Sequence, residues 1–136
     1  MHSKKKGNIG QFGVGLALSK LGYSIFTEEG DISKIDLIAE KDNKLLRIQC
    51  KAITPIDGKI MVPLKKSGPH YQFNYNPNMF DYFGVYDLED GKVYLISSKI
   101  LDSHKHQFAL RKTRSRNNQE KTVNYASDYT LDKILP

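Results

Sequence analysis

The chain has 136 residues and a formal charge of +6, with 21 Lys and Arg against 15 Asp and Glu. That length predicts one domain whose core needs no metal or disulfide to hold it. The lone Cys50 excludes a disulfide framework and a Cys-rich zinc module. No apolar run approaches the roughly 18 residues of a membrane span. Lys4, Lys5 and Lys6 precede an apolar stretch at 13–18, but Lys20 cuts it short and no cleavage site follows, so the chain reads as soluble and cytoplasmic.

Residues 8–22 suit a helix, with Asn8 as N-cap and Gly22 as the stop after Leu21. Ile9, Phe12, Val14, Leu16, Ala17, Leu18 and Leu21 give it a broad apolar surface. Gly10, Gly13 and Gly15 weaken it intrinsically, so packing has to compensate, and small residues there let another backbone come close. Residues 23–27 read as a short strand, and Glu28-Glu29-Gly30-Asp31 as a turn or loop. Residues 35–40 and 45–52 alternate with period two around Asp42-Asn43, which is a hairpin pattern.

Residues 54–79 hold Pro55, Pro63, Pro69 and Pro77, with an edge strand expected at 59–62. Tyr71, Phe73, Tyr75, Phe80, Tyr82, Phe83 and Tyr86 crowd the next stretch and suit either a core or a subunit interface. Residues 80–87 and 92–97 flank Glu89-Asp90-Gly91, a second hairpin signal. From 104 to 121 the chain turns basic and polar, and 130–135 suits a short closing helix, whose Leu131 and Leu135 are further interface candidates.

The chemistry centres on the first hairpin. Asp36 lies in one strand, while Gln49 and Lys51 share a face of the other, since side chains two apart do so. Strands about 4.8 Å apart bring such groups to one spot. A divalent cation favours hard oxygen ligands, and the Asp36 carboxylate, the Gln49 amide oxygen and the Cys50 carbonyl supply them. Lys51 then assists the attacking water or stabilises negative charge developing on a phosphate. Spacing alone leaves a plain solvated strand face as the competing explanation.

The order of these pieces resembles the PD-(D/E)XK nuclease superfamily, in its Holliday-junction-resolvase-like branch. Within that branch it is similar to the bacterial group I intron homing endonucleases. The likeness rests on Gly7-Asn8-Ile9-Gly10-Gln11-Phe12-Gly13, Lys34-Ile35-Asp36-Leu37-Ile38, Arg47-Ile48-Gln49-Cys50-Lys51 and the strand from Asp81 to Tyr86, within residues 7–97. It implies an α/β restriction-endonuclease-like core, with a mixed central sheet flanked by helices. One nuclease domain would span 1–136, with its catalytic core at 7–97. The implied activity is metal-dependent double-strand cleavage of DNA at a long site, in intron homing. Mg2+ would be the cofactor, with Mn2+ or Ca2+ able to substitute in binding. Gln11, Asp36, Gln49 and Lys51 would form the catalytic set, in a homotetramer or homodimer. Structure-specific junction resolution and a non-catalytic DNA-binding module are the alternatives.

Three departures stand out. Ile35 replaces the name-giving proline, and Gln49 replaces the usual acid. Gln11 stands where the branch carries a Glu, which leaves Asp36 as the only carboxylate expected at the centre. Gln11 therefore reads as a catalytically weakened Glu→Gln form, engineered to block cleavage, with a natural Gln as the other explanation.

DNA contacts are expected from Lys4 and Lys5 on an N-terminal arm, from Lys65 and Lys66, and from the basic segment 104–121. In that segment Lys105, Arg111, Lys112, Arg114 and Arg116 suit phosphates, and Arg114, Arg116, Asn117 and Asn118 also suit base edges. His2, His70, His104 and His106 show no metal spacing with Cys50. The glycines at 10, 13 and 15 are in the wrong order for a nucleotide-cradling loop.

Overall fold

The computed structural model describes residues 1–30, 32–113 and 123–136. Helix α1 (Ser3–Lys20) opens the chain, capped by His2, whose Nδ1 accepts the Lys4 N–H at 3.2 Å. It begins well ahead of the expected Asn8 cap, so Lys4, Lys5 and Lys6 form its first turns rather than a separate arm. Cations there oppose the helix dipole, and that end of the helix favours anions. The other end stops as expected. Gly22 adopts φ +93°, and Lys41 Nζ donates to the Leu21 carbonyl at 2.8 Å.

The strands that follow are β1 (Ser24–Phe26), β2 (Leu37–Lys41), β3 (Lys44–Ile53), β4 (Lys59–Pro63), β5 (Lys65–Gly68), β6 (Tyr71–Asn74), β7 (Tyr82–Asp87), β8 (Val93–Ser97) and β9 (Gln107–Arg111). A five-stranded sheet runs in the order β1-β2-β3-β7-β8. Only the β3–β7 pair is parallel, so the sheet is mixed. Asp42 and Asn43, at φ 52° and 66°, close the β2–β3 hairpin with two left-handed residues, matching the twist of the flanking strands.

Helix α1 covers one face of this sheet. Val14 and Leu18 are fully buried against Leu37, Ala39, Ile48 and Leu95, and the closing helix α2 (Leu131–Ile134) adds Leu131. A Cβ at Gly10 would sit 3.0 Å from that of Ala52 on β3, so glycine lets helix and strand meet closely. Gly84 on β7 is tighter still, since a Cβ there would lie 2.8 Å from both Val14 Cγ1 and Ile48 Cγ2. Overpacking of this kind costs roughly 1–3 kcal/mol. Gly84→Ala is expected to lower stability by about 2 kcal/mol in urea unfolding, with an unchanged m-value.

The opposite face carries the β4–β9 pair, Leu64, Leu101 and four of the crowded aromatics, Phe73, Tyr75, Phe80 and Phe83. β4 lies where an edge strand was expected and is one, in a separate two-stranded sheet with β9. The β5–β6 hairpin has no counterpart in the sequence reading. Tyr75, Phe80 and Phe83 are buried and meet edge to face, with Phe80 and Phe83 centroids 4.7 Å apart. These three aromatics, with Leu131 and Leu135, were candidates for a subunit interface. They are core instead: the aromatics lie between the sheet and the β4–β9 pair, and Leu131 and Leu135 pack with α1 on the other face. Among the described residues, no helix is long and apolar enough to cross a membrane.

Candidate active site

Asp36 lies immediately before β2, where its N–H donates to the Ile48 carbonyl at 2.9 Å. That bond fixes its height against β3. Its Oδ2 accepts the Cys50 N–H at 2.7 Å and Gln49 Nε2 at 2.9 Å. Gln49 is 6 % exposed, and its Oε1 is buried with no hydrogen-bond partner. Lys51, two residues on, donates to the Tyr75 hydroxyl at 3.1 Å and lies 5.0 Å from that ring's centroid.

The three groups therefore meet in one cleft of about 650 Å³, which also reaches Gln11, Glu28 and Lys66. α1 contributes Ser3, Lys4, Gly7, Asn8 and Gln11, so its first turns face the same space.

Burial dominates the electrostatics. It pushes the Lys51 ammonium down to about 8; Lys66 and Lys34 lower it further, and Asp36 opposes them. Burial and the Asp36 charge push the Tyr75 hydroxyl up to about 12. The same two causes raise the Cys50 thiol far above its ordinary value. A protonated thiol is a poor ligand, so Cys50 offers a metal its carbonyl only.

The donor set fits a hard cation. Asp36 gives carboxylate oxygens, and the orphaned Gln49 Oε1 is a desolvated acceptor with nothing to accept from. Among the described residues, no three His, Cys, Asp or Glu side chains gather as a metal site. A cation here would rely partly on neutral oxygens.

A family model described as PD-(D/E)XK endonuclease matches residues 1–132. The chain belongs to this family. It is thus a DNA endonuclease, a hydrolase of phosphodiester bonds, of a family whose members generally use divalent metals. Among solved structures, a bacterial homing endonuclease, I-Ssp6803I, is similar in fold. It shares 20 % identity and a TM-score of 0.72, over 90 % of this chain and 88 % of that chain. The restriction-endonuclease-like fold expected from the sequence is therefore present. No curated protein matches the chain.

The basic residues of this endonuclease divide by position. Lys4 and Lys66 line the cleft. Lys65 and Lys105 line a second hollow of about 360 Å³, together with His104, His106 and Tyr75. Lys5 is exposed on α1. Arg111 is half-buried, with Nε donating to the Thr113 carbonyl at 3.1 Å. Lys112 does not suit the phosphate role expected of it. Its Nζ is held by Asp87 at 2.7 Å, Glu89 at 2.9 Å and Asp90 at 3.3 Å. Three acids already neutralise it, so it has little charge to offer DNA. Arg114, Arg116, Asn117 and Asn118 lie outside the described residues.

Two residues that bear on the site were not expected from the sequence. Tyr75 was assigned to packing, yet it holds Lys51. Glu28 was assigned to a turn, yet it lines the same cleft as Asp36.

Proposed function

We propose that this endonuclease makes site-specific double-strand breaks at a long DNA target, as homing endonucleases do. Mg2+ would be held by Asp36, Gln49 Oε1 and the Cys50 carbonyl, with Mn2+ or Ca2+ substituting in binding. The observation that carries this reading is the Asp36–Gln49 contact beside Lys51, in a cleft that the first turns of α1 face. When bound, the divalent ion supplies Lewis acidity toward the scissile phosphate.

The chain's own groups do the rest. Asp36 is oriented by the Cys50 N–H. Lys51 is protonated at neutral pH, and its ammonium stabilises negative charge on the phosphate. The Tyr75 oxygen holds that ammonium in place. Lys4, Lys66 and the positive end of α1 bind flanking phosphates. Among the described residues, two acids and three lysines line the cleft, Glu28 and Asp36 against Lys4, Lys51 and Lys66, a balance suited to an anionic substrate.

The whole chain would act as one nuclease domain, with the core at 7–97 and the basic segment 104–121 extending the DNA contact. Cutting both strands of a long site requires two active centres, hence a homo-oligomer, with a tetramer favoured and a dimer sufficient. Phe12 and Leu16, 74 % and 58 % exposed on the outer side of α1, offer it an apolar surface.

The amide at 11 leaves the cation with a weaker hold than an acid would give. Gln11→Glu is expected to raise metal-dependent cutting about tenfold, the scale of a metal site's supporting groups. The test is a plasmid library with random inserts, digested in Mg2+ or Mn2+, with the ends sequenced and the bound DNA footprinted. Cleavage at one long site that Asp36→Asn abolishes is the expected result. A footprint centred on four-way junctions would favour resolution over homing. Absence of metal-dependent cutting even by Gln11→Glu would overturn the reading.

A further inference from the structure

We infer that Glu28 is a second carboxylate of the cation site, acting through water in the place of the acid that Gln11 lacks. This rests on the proposed metal site at Asp36 and Gln49. The β1–β2 ladder pairs Ser24 with Glu40, Ile25 with Ala39 and Phe26 with Ile38. Continued by two steps, that register brings Glu28 level with Asp36. The chain leaves the ladder after Phe26, but both residues line the same cleft.

The loop beyond Glu28 turns back to hold its carboxylate. Oε1 accepts the Ile32 N–H at 3.1 Å and the Ser33 N–H at 3.2 Å. Oε2 accepts the Ser33 N–H at 3.1 Å and the Ser33 hydroxyl. Ser33 Oγ in turn accepts the Ile35 N–H at 3.2 Å, which ties Glu28 to the segment that presents Asp36. These bonds keep Glu28 ionised and lower its pKa, the Ser33 hydroxyl most of all. A carboxylate has about four acceptor sites, so three donors leave it room for one more contact.

In the same cleft Gln49 Oε1 is a buried acceptor that has no donor. Lys51 does not supply one, since its ammonium is turned onto Tyr75. A hard cation between Asp36 and Gln49, with Glu28 holding one of its waters, gives that oxygen a partner. The loop thus supplies the charge that Gln11 does not.

The experiment uses Tb3+ as a hard-cation probe, read by tyrosine-sensitised luminescence on the full chain without DNA, with Ca2+ as competitor. Glu28→Gln is expected to weaken binding about tenfold, and Glu28→Gln combined with Gln11→Glu to return it to within about threefold of the native chain. Glu29→Gln removes the same charge from the same loop outside the cleft, and should leave binding unchanged. Because Glu28 and an acid at position 11 fill one place, Gln11→Glu should strengthen binding more in Glu28→Gln than in the native chain, a coupling that a loop that had merely lost its order would not produce. Native affinity in Glu28→Gln, an equal loss in Glu29→Gln, or failure of the rescue each overturns the role of Glu28. If Asp36→Asn also binds normally, the metal site itself is misplaced. If Asp36→Asn alone loses binding, that site stands and only Glu28 is excluded.

Discussion

Lys51→Met is expected to slow DNA cleavage by about 10²–10³-fold while making the folded protein more stable at pH 7. The two effects have one cause. Burial holds the Lys51 ammonium at about 8, against an ordinary value of 10.5. Each unit of such a shift corresponds to about 1.4 kcal/mol, so keeping the charge in the folded state costs roughly 3 kcal/mol at neutral pH. Methionine fills similar space without that charge. It forfeits the Tyr75 contact and the attraction to Asp36, so the net gain is about 1–2 kcal/mol, or several degrees in Tm.

The pH dependence follows from proton counts. Below pH 8 both folded and unfolded chains carry the Lys51 proton, and the penalty is present in full. Between 8 and 10.5 the folded chain has released it and the unfolded chain has not, so native stability rises with pH. The advantage of Lys51→Met should therefore be greatest below pH 8 and fade toward 10.5. Cleavage should fall about 10²–10³-fold in the variant, the scale for losing one transition-state donor. In the native chain it should decline above pH 8 as the ammonium is lost. Thermal melts of both proteins from pH 6.5 to 10, with cleavage assays alongside, measure this. A methionine variant that is less stable at pH 7, or that cuts at close to the native rate, would contradict this.

The parts of this site that were legible in the sequence are those fixed by short-range geometry. Period two placed Gln49 and Lys51 on one face, and Asp42-Asn43 pinned the hairpin that brings Asp36 to them. What was not legible depends on distant partners. β4 finds β9 across more than forty intervening residues, and no local pattern in either segment names the other. The start of α1 was misplaced because three lysines there oppose the helix dipole, and His2 is a less common cap than Asn8. Glu28 was hidden by composition, since Glu-Glu-Gly-Asp is ordinary loop chemistry. Its signal lay in register: the pairing of Phe26 with Ile38, extended two steps past the end of the ladder, points residue 28 toward the level of residue 36.

Lys112→Met is expected to cost about 3–5 kcal/mol, the range for breaking a buried ion pair, and to leave DNA binding otherwise intact. In sequence Lys112 belongs to the basic run, but in the fold it is the counter-charge of the β7–β8 hairpin. Asp87 is 0 % exposed, and its Oδ2 sits 2.7 Å from Lys112 Nζ, with Glu89 and Asp90 completing the ring. Its other oxygen accepts the Glu89 N–H at 2.8 Å, so the hairpin turn is organised around this carboxylate. Removing the ammonium leaves a desolvated charge facing two further acids. Asp87 first, then Glu89 and Asp90, raise the Lys112 pKa above the ordinary lysine range. The contribution is therefore complete at neutral pH and is lost only as pH climbs through that raised value.

Urea unfolding measures the loss, and Lys112→Met with Asp87→Asn should recover much of it, because the stranded charge is then gone. DNA affinity against salt separates structure from contact. A phosphate-binding lysine such as Lys66 should reduce the salt slope by about one when removed, whereas Lys112→Met should not move it at a temperature where the variant remains folded. A reduced slope with little loss of stability would return Lys112 to the DNA-binding surface.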